Sequence, residues 1–407
     1  MRNLVSFFLV YVFFGCCVTF SQGLKLPKEG AWHAEISLND RLHLPFEFEL
    51  SYYKKTPKLI IINGAERIEL LPKKKVGDLF CYRFPAIDGE LRIQFDPNGI
   101  QLSGEWINYN KAVPVTIPFT AYLSNESRFL VRGLPSYNYS GRWDVIFKDG
   151  DEHAIGVFNQ VGNTVTGTFL TETGDYRYLA GNVDENNALY LSCFDGVHAY
   201  QFVANLGKNE EINGVFYSGQ SYQTNWQGKR NEDATLRDPD SLSQLINTAP
   251  FTFDATKLNG KPFHFVPQKN KGAVIQIMGS WCPNCIDETN YFKEIHAIYK
   301  ERGIEFIAVA FELGKDKKEQ LTRLKGFVKR CKVPYTVLLG GKKSAEDALM
   351  VFSSLNKIMS FPTTIIIDKK GVVRRIHTGF SGPGTGQEYI NYKIATEKLL
   401  DEISNQN

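Results

Sequence analysis

Ala273-Val274-Ile275-Gln276-Ile277-Met278-Gly279-Ser280-Trp281-Cys282-Pro283-Asn284-Cys285 decides the fold of this chain. Its first six residues are an apolar run suited to a buried strand, interrupted only by Gln276. From Ile286 to Arg302 the apolar residues Ile286, Tyr291, Ile295 and Ile298 recur at helical spacing. A strand that feeds a helix in this way delivers Cys282 to the first helical turn. There the backbone N–H groups lack partners and the positive end of the helix dipole favours an anion. Thiols so placed ionise near neutral pH and act as nucleophiles. Cys285 lies one turn deeper on the same face, so Cys282 is the expected attacking thiol and Cys285 the resolving one. Pro283 suits the first helical position because its missing N–H had no partner there. Pro283 and Asn284 are expected to tune the pair and to meet the substrate. No second cysteine pair and no histidine pair stands nearby, so a four-ligand zinc site lacks half its ligands and no metal is expected.

Working outward, strands and helices alternate. Buried strands are expected at Ala273 to Met278, Ile304 to Phe311, Pro334 to Leu339, Thr363 to Asp368 and Val372 to Thr378. Helices are expected at Ile286 to Arg302, Lys315 to Cys331, Ala345 to Leu355 and Gly386 to Ile403. This is an α/β pattern: a central mixed sheet with helices on both faces.

Four features make residues 248–407 resemble the TlpA/ResA type of thioredoxin-fold thiol-disulfide oxidoreductase. They are Gly279 to Cys285, the lead-in Thr252-Phe253 to Pro262, Phe361-Pro362-Thr363-Thr364 before Ile365-Ile366-Ile367-Asp368, and Gly371-Val372-Val373. The resemblance implies a cis Pro362 facing the two cysteines, with the backbone of Phe361 pairing with substrate and its bulk restricting which substrates fit. Trp281 belongs to the same motif. Thioredoxins proper carry a buried Asp six residues before the first cysteine; here that place is Gln276. Glu312, near the end of the next strand, is the expected general base, set against a reading as a solvated strand-end acid. No dissociable cofactor is implied. Disulfide-bearing client proteins are the implied substrates, and a membrane thiol carrier the implied electron donor.

Before position 248 the pattern is different. Phe46-Glu47-Phe48-Glu49-Leu50 alternates, Leu59 to Ile62 ends in the hairpin dipeptide Asn63-Gly64, and Ala154 to Val161 and Thr164 to Leu170 flank Gly162-Asn163. Short alternating strands with frequent turns predict an all-β antiparallel module over 24–232, a sandwich or a barrel. Gly30-Ala31-Trp32 recurs as Gly141-Arg142-Trp143, 111 residues on; Asp88-Gly89 recurs as Asp195-Gly196, 107 on; Leu102 to Trp106 matches Ile212 to Phe216, 110 on. These offsets suggest a duplication into halves of about 24–135 and 136–232. The polar stretch 233–247, with Asp238-Pro239, reads as a linker.

Met1-Arg2-Asn3, the apolar Leu4 to Phe20 and the small residues around Ser21 have the three-part form of a secretory signal over 1–21. Phe13-Phe14-Gly15-Cys16 offers a lipoprotein box as a weaker alternative. The protein is therefore expected in the periplasm or cell envelope. Five cysteines remain beyond the leader, too few for a disulfide-stapled scaffold. Cys331 reads as an inert buried thiol, and Cys81 and Cys193 as buried small side chains. With 47 basic and 44 acidic residues the net charge is +3, which gives no reason to invoke nucleic acid. The expected function is an exported reductase of client disulfides. The rival reading is a binding protein whose β module sets specificity while the redox domain acts on a tethered client.

Overall fold

The structure is a computed structural model that describes residues 26–111, 113–148 and 152–406. The leader and both of its cysteines lie outside the described residues. Among the described residues no helix is long and apolar enough to cross a membrane.

Two antiparallel meanders make up the first half. In the first, nine strands run from Gly30–Ser37 to Val115–Leu123, and the first strand pairs with the last. The ring stays open between Glu66–Leu70 and Pro72–Val76, which do not pair. Pro72 and Lys73 to Lys75 occupy that edge, where a proline and charges discourage addition of a foreign strand. Alternation fills the interior: Phe46, Phe48 and Leu50 are buried while Glu49 between them is exposed.

The second meander runs from Gly141–Phe147 to Tyr222–Arg230 and closes completely, because Glu152–Val161 pairs with Gly141–Phe147 on one side and Thr164–Thr171 on the other. It is a barrel around Trp143, Phe147, Phe169, Phe202 and Trp226. The segments matched in sequence sit on corresponding strands, Gly30–Ser37 with Gly141–Phe147 and Gln101–Asn108 with Glu211–Ser218.

The two barrels share an interface of aromatic contacts and hydrogen bonds. Phe194 of the second inserts into the first, its ring 4.6 Å from Phe46 and 5.0 Å from Trp106. Trp106 Nε1 donates to the carbonyl of Gly196 (3.0 Å), and Asn63 Nδ2 to that of Phe194 (2.8 Å). Arg128, 3 % exposed, pairs with Glu47 and donates to the Ser192 carbonyl.

The C-terminal part has the thioredoxin-like order. Its elements are β1 (Phe253–Lys257), β2 (Pro262–Phe265), β3 (Gly272–Met278), α1 (Pro283–Glu301), β4 (Ile304–Glu312), α2 (Lys317–Cys331), β5 (Thr336–Lys342), α3 (Ala345–Val351), β6 (Thr363–Ile367), β7 (Val373–Thr378) and α4 (Gln387–Ser404). The sheet order is β2-β1-β5-β4-β3-β6-β7. β3 is parallel to β4 and antiparallel to β6, and every residue of β3 is buried. The helix expected over 345–355 ends at Val351, and β1 and β2 were not foreseen as strands.

The stretch 233–247, read as a linker, packs in part on the redox domain. Leu242 and Ser243 are buried, Ser243 Oγ lies 2.9 Å from Thr378 Oγ1, and Asp240 binds Arg375 and His377. Asp240 and Ser243 find partners on β7, while Asp233, Thr235, Arg237, Asp238 and Asn247 stay exposed. The first barrel is also joined directly to the redox domain: Leu324, Phe327 and Cys331 of α2 share one apolar cluster with Phe84 and Ile87. Arg323 Nη1 donates to the Tyr109 carbonyl at 3.0 Å.

Candidate functional site

β3 ends at Met278, and Gly279 to Trp281 form the turn into α1. Gly279 is required by a close approach, because a Cβ there would lie 2.3 Å from the Trp281 indole nitrogen. Trp281 is fixed by a 2.8 Å hydrogen bond from Nε1 to the Phe311 carbonyl and by edge contact with Phe361. Cys282 is the N-cap of α1 and Pro283 its first residue. The backbone N–H of Cys285 donates to Cys282 Sγ at 3.3 Å, so the sulfur sits where the helix presents an unpaired donor.

Across the cleft the Phe361–Pro362 bond is cis, and Cys282 Sγ donates to the Phe361 carbonyl at 3.3 Å. Both cysteines are free thiols; Cys282 is 7 % exposed and Cys285 fully buried. Burial, followed by the hydrogen bond and charge of Cys282, pushes the Cys285 thiol well above the ordinary range. Cys285 therefore needs a base before it can attack.

Glu288 supplies an acid at that depth, and reading the sequence did not single it out. It stands three residues after Cys285, on the same face of α1, and is fully buried. Its oxygens accept from Gln276 Nε2 (2.9 Å), Thr364 Oγ1 (2.8 Å) and Tyr392 OH (2.7 Å). Gln276 Nε2 also donates to the Cys285 carbonyl at 3.1 Å, which ties the Cys285 backbone and the acid into one network. Burial raises Glu288 to about 7, against the three hydrogen bonds that lower it.

Glu312 is not the solvated acid of one expectation. It is 1 % exposed, and its oxygens accept from the Ser280 backbone N–H (2.8 Å) and Ser280 Oγ (2.7 Å). Burial raises it too, to about 7. Its partners place it behind the turn that carries Cys282, where it fixes Ser280.

Trp281, Cys282, Pro283, Asn284 and Phe361 line one cleft of about 530 Å³. Lys343 and Ser360 of the redox domain complete that side, and the facing walls come from both barrels, among them Trp106, Asn108 and Lys111 of the first and His198, Tyr200 and Gln220 of the second. Thr173 reaches the cis-proline loop, where Ser360 Oγ donates to its carbonyl at 2.7 Å. The adjacent Asp175 accepts from the Gly382 backbone N–H at 2.6 Å. Behind the helix, Asp287 of α1 pairs with Arg177 of the second barrel, which also binds Glu66 of the first at 2.8 Å.

The other cysteines lie elsewhere. Cys81 and Cys193 are buried and unbridged, and Cys331 is buried beside the Ala86 carbonyl, where burial pushes it to about 11. Among the described residues no cluster of three or more His, Cys, Asp or Glu could hold a metal ion.

The arrangement brings two thiols together at a helix start, with a buried acid one turn beyond the second. Comparison with known proteins points the same way. Residues 245–391 match the Redoxin family model. "Thiol-disulfide oxidoreductase ResA" of Geobacillus kaustophilus is 29 % identical over 133 residues, covering 33 % of this chain and 68 % of the relative. The protein of the same name from Bacillus thuringiensis subsp. konkukian is 32 % identical over 140 residues, covering 34 % of this chain and 72 % of the relative. A solved thioredoxin-family thiol:disulfide interchange protein from Chlorobium tepidum aligns with 39 % of this chain and 100 % of its own, at 21 % identity and TM-score 0.28.

Proposed function

The chain belongs to the ResA family of thiol-disulfide oxidoreductases and is a protein-disulfide oxidoreductase, and from this premise we propose that Cys282 and Cys285 are its redox pair and that it reduces disulfides of exported clients. The observation that carries this reading is the seat of Cys282: capping α1, with the Cys285 N–H on its sulfur and the Phe361 carbonyl beside it. The thiolate of Cys282 attacks one sulfur of a client disulfide and expels the other as a thiolate. Glu288, buried one turn along α1 from Cys285, serves as the base for the Cys285 proton, and Gln276 holds the acid in place by bridging it to the Cys285 carbonyl. Cys285 then attacks Cys282 Sγ, which releases the second client thiol and leaves a Cys282–Cys285 disulfide. Trp281 and cis-Pro362 shape the approach, Pro283, Asn284 and Phe361 contact the client, and Glu312 holds the turn through Ser280.

We read 1–21 as a secretory signal, 24–232 as a duplicated β module and 248–407 as the redox domain, with a membrane thiol donor restoring the dithiol. The matched strand order of the two barrels supports the duplication. A docking protein acting on a tethered client is not favoured, because the family match falls on the redox domain. Insulin reduction with dithiothreitol as electron source tests the assignment. Cys282→Ser should lower turnover by at least about 10³-fold, the scale of losing a nucleophile; a variant that keeps turning over refutes it.

A further inference from the structure

Two lysines line the cleft without an ion-pair partner among the described residues. Lys111 comes from the first barrel, and Lys343 follows β5. Lys343 Nζ lies 3.7 Å from the centre of the Trp281 ring, beside the attacking thiol. The two are close enough that, after burial, the Lys111 charge is what lowers the Lys343 pKa, while Cys282 raises it. One carboxylate lines the same cleft, Asp175, and it is already committed: its oxygens accept from the backbone N–H groups of Gly382 (2.6 Å) and Arg177 (2.7 Å). His198, the other titratable group on the wall besides the redox thiol and Tyr200, is paired with Asp195 at 3.0 Å. The cleft thus holds two cations with no anion assigned to them, at the point where a substrate sulfur must arrive.

The walls add a size limit. A volume of about 530 Å³ is in the range of small-molecule sites, and Cys282 is 7 % exposed at its floor. A cystine on a flat protein face cannot reach that sulfur, whereas a small disulfide or one in an extended, protruding segment can.

We infer that the cleft between the barrels and the redox domain is a substrate site for disulfides flanked by carboxylates, with Lys111 and Lys343 as its specificity-determining residues. This rests on the reading of Cys282 as the nucleophile. In the step concerned, the Cys282 thiolate forms a bond to one substrate sulfur and the substrate S–S bond breaks. The departing thiolate takes a proton from water, and attack by Cys285 frees the second thiol. Two electrons pass from the dithiol to the substrate. The lysines pair with carboxylates next to the sulfurs and raise their local concentration.

The test is a single turnover of the pre-reduced full chain with oxidised glutathione (anionic), cystamine (cationic) and 4,4'-dithiodipyridine (neutral). Each rate is divided by that of the same disulfide with dithiothreitol, which removes intrinsic reactivity. The wild type should favour oxidised glutathione over cystamine by about tenfold or more at low salt, and the Lys111→Gln/Lys343→Gln double variant should lose most of that ratio. A cystine peptide with glutamates beside its sulfurs, run in parallel, separates the two sources of the same chemistry. A drop for both anionic substrates means extended segments enter, and a drop for glutathione alone means small disulfides only. A ratio unchanged by the substitutions, or a wild type that prefers cystamine, overturns the inference while leaving the redox pair standing. A reduced wild type that reacts with none of the three overturns the redox reading itself.

Discussion

Buried acids in the redox domain and at the barrel interface are treated in opposite ways. Glu288 and Glu312 accept hydrogen bonds from amides and hydroxyls, and burial outweighs these and the more distant arginine charges to lift both to about 7. Asp195, equally buried, faces His198 and Arg177, whose charges outweigh burial and hold it well below the usual carboxylate range. Glu66 lies between these cases: burial keeps it raised although Arg177 pulls it down. An acid held by a guanidinium keeps its charge and acts as a fastening. One surrounded by neutral donors can gain or lose a proton near neutrality, which is what a thiol exchange step needs.

The largest effect that would break this contrast is at Arg177. Arg177→Met leaves Glu66, Asp195 and Asp287 without their shared cation, and removing one member of a buried ion cluster costs about 3–5 kcal/mol. The urea midpoint should fall accordingly, while the folded fraction still reacts at Cys282, since that chemistry resides on α1. An unchanged midpoint would show that the cluster does not fasten the barrels.

A smaller effect sharpens the contrast through its sign. Glu288 and Glu312 have folded pKa values above the ordinary 4.5, so their stabilisation is complete below that value and is lost as pH rises through about 7. Each shift corresponds to on the order of 3 kcal/mol. Asp195 is depressed, so its contribution is present above the ordinary 3.8 and is lost on acidification. Hydrogen exchange, corrected for intrinsic rates, should show β3 and α1 loosening between pH 5 and 8.5. The segment around Asp195 should hold there and loosen toward pH 3. The same direction in both regions would refute the distinction.

The Cys282 and Cys285 spacing was legible because it is compressed into four consecutive residues at a strand-to-helix turn. Glu288 was not, although its spacing from Cys285 was visible. Its meaning depends on Gln276, Thr364 and Tyr392, which arrive from β3, β6 and α4. Glu312 was marked by its place on the strand, yet only the fold brings Ser280 to it. The β strands could be read from alternation and turns. Closure could not, since it depends on whether the strands on either side of a gap pair, as Glu152–Val161 does and Glu66–Leu70 does not. The packing of 233–247 was hidden because polar composition does not reveal that Asp240 meets Arg375 and His377. Lys111 and Lys343 are far apart in sequence, and only the docking of barrel on redox domain makes them neighbours.

The central claim is tested most directly by trapping the mixed disulfide. Cys285→Ser, reduced and mixed with a client disulfide, should accumulate one covalent adduct, and peptide mass spectrometry should locate it on Cys282. An adduct on Cys331, Cys81 or Cys193 instead, or none at all from a folded variant, would contradict the account.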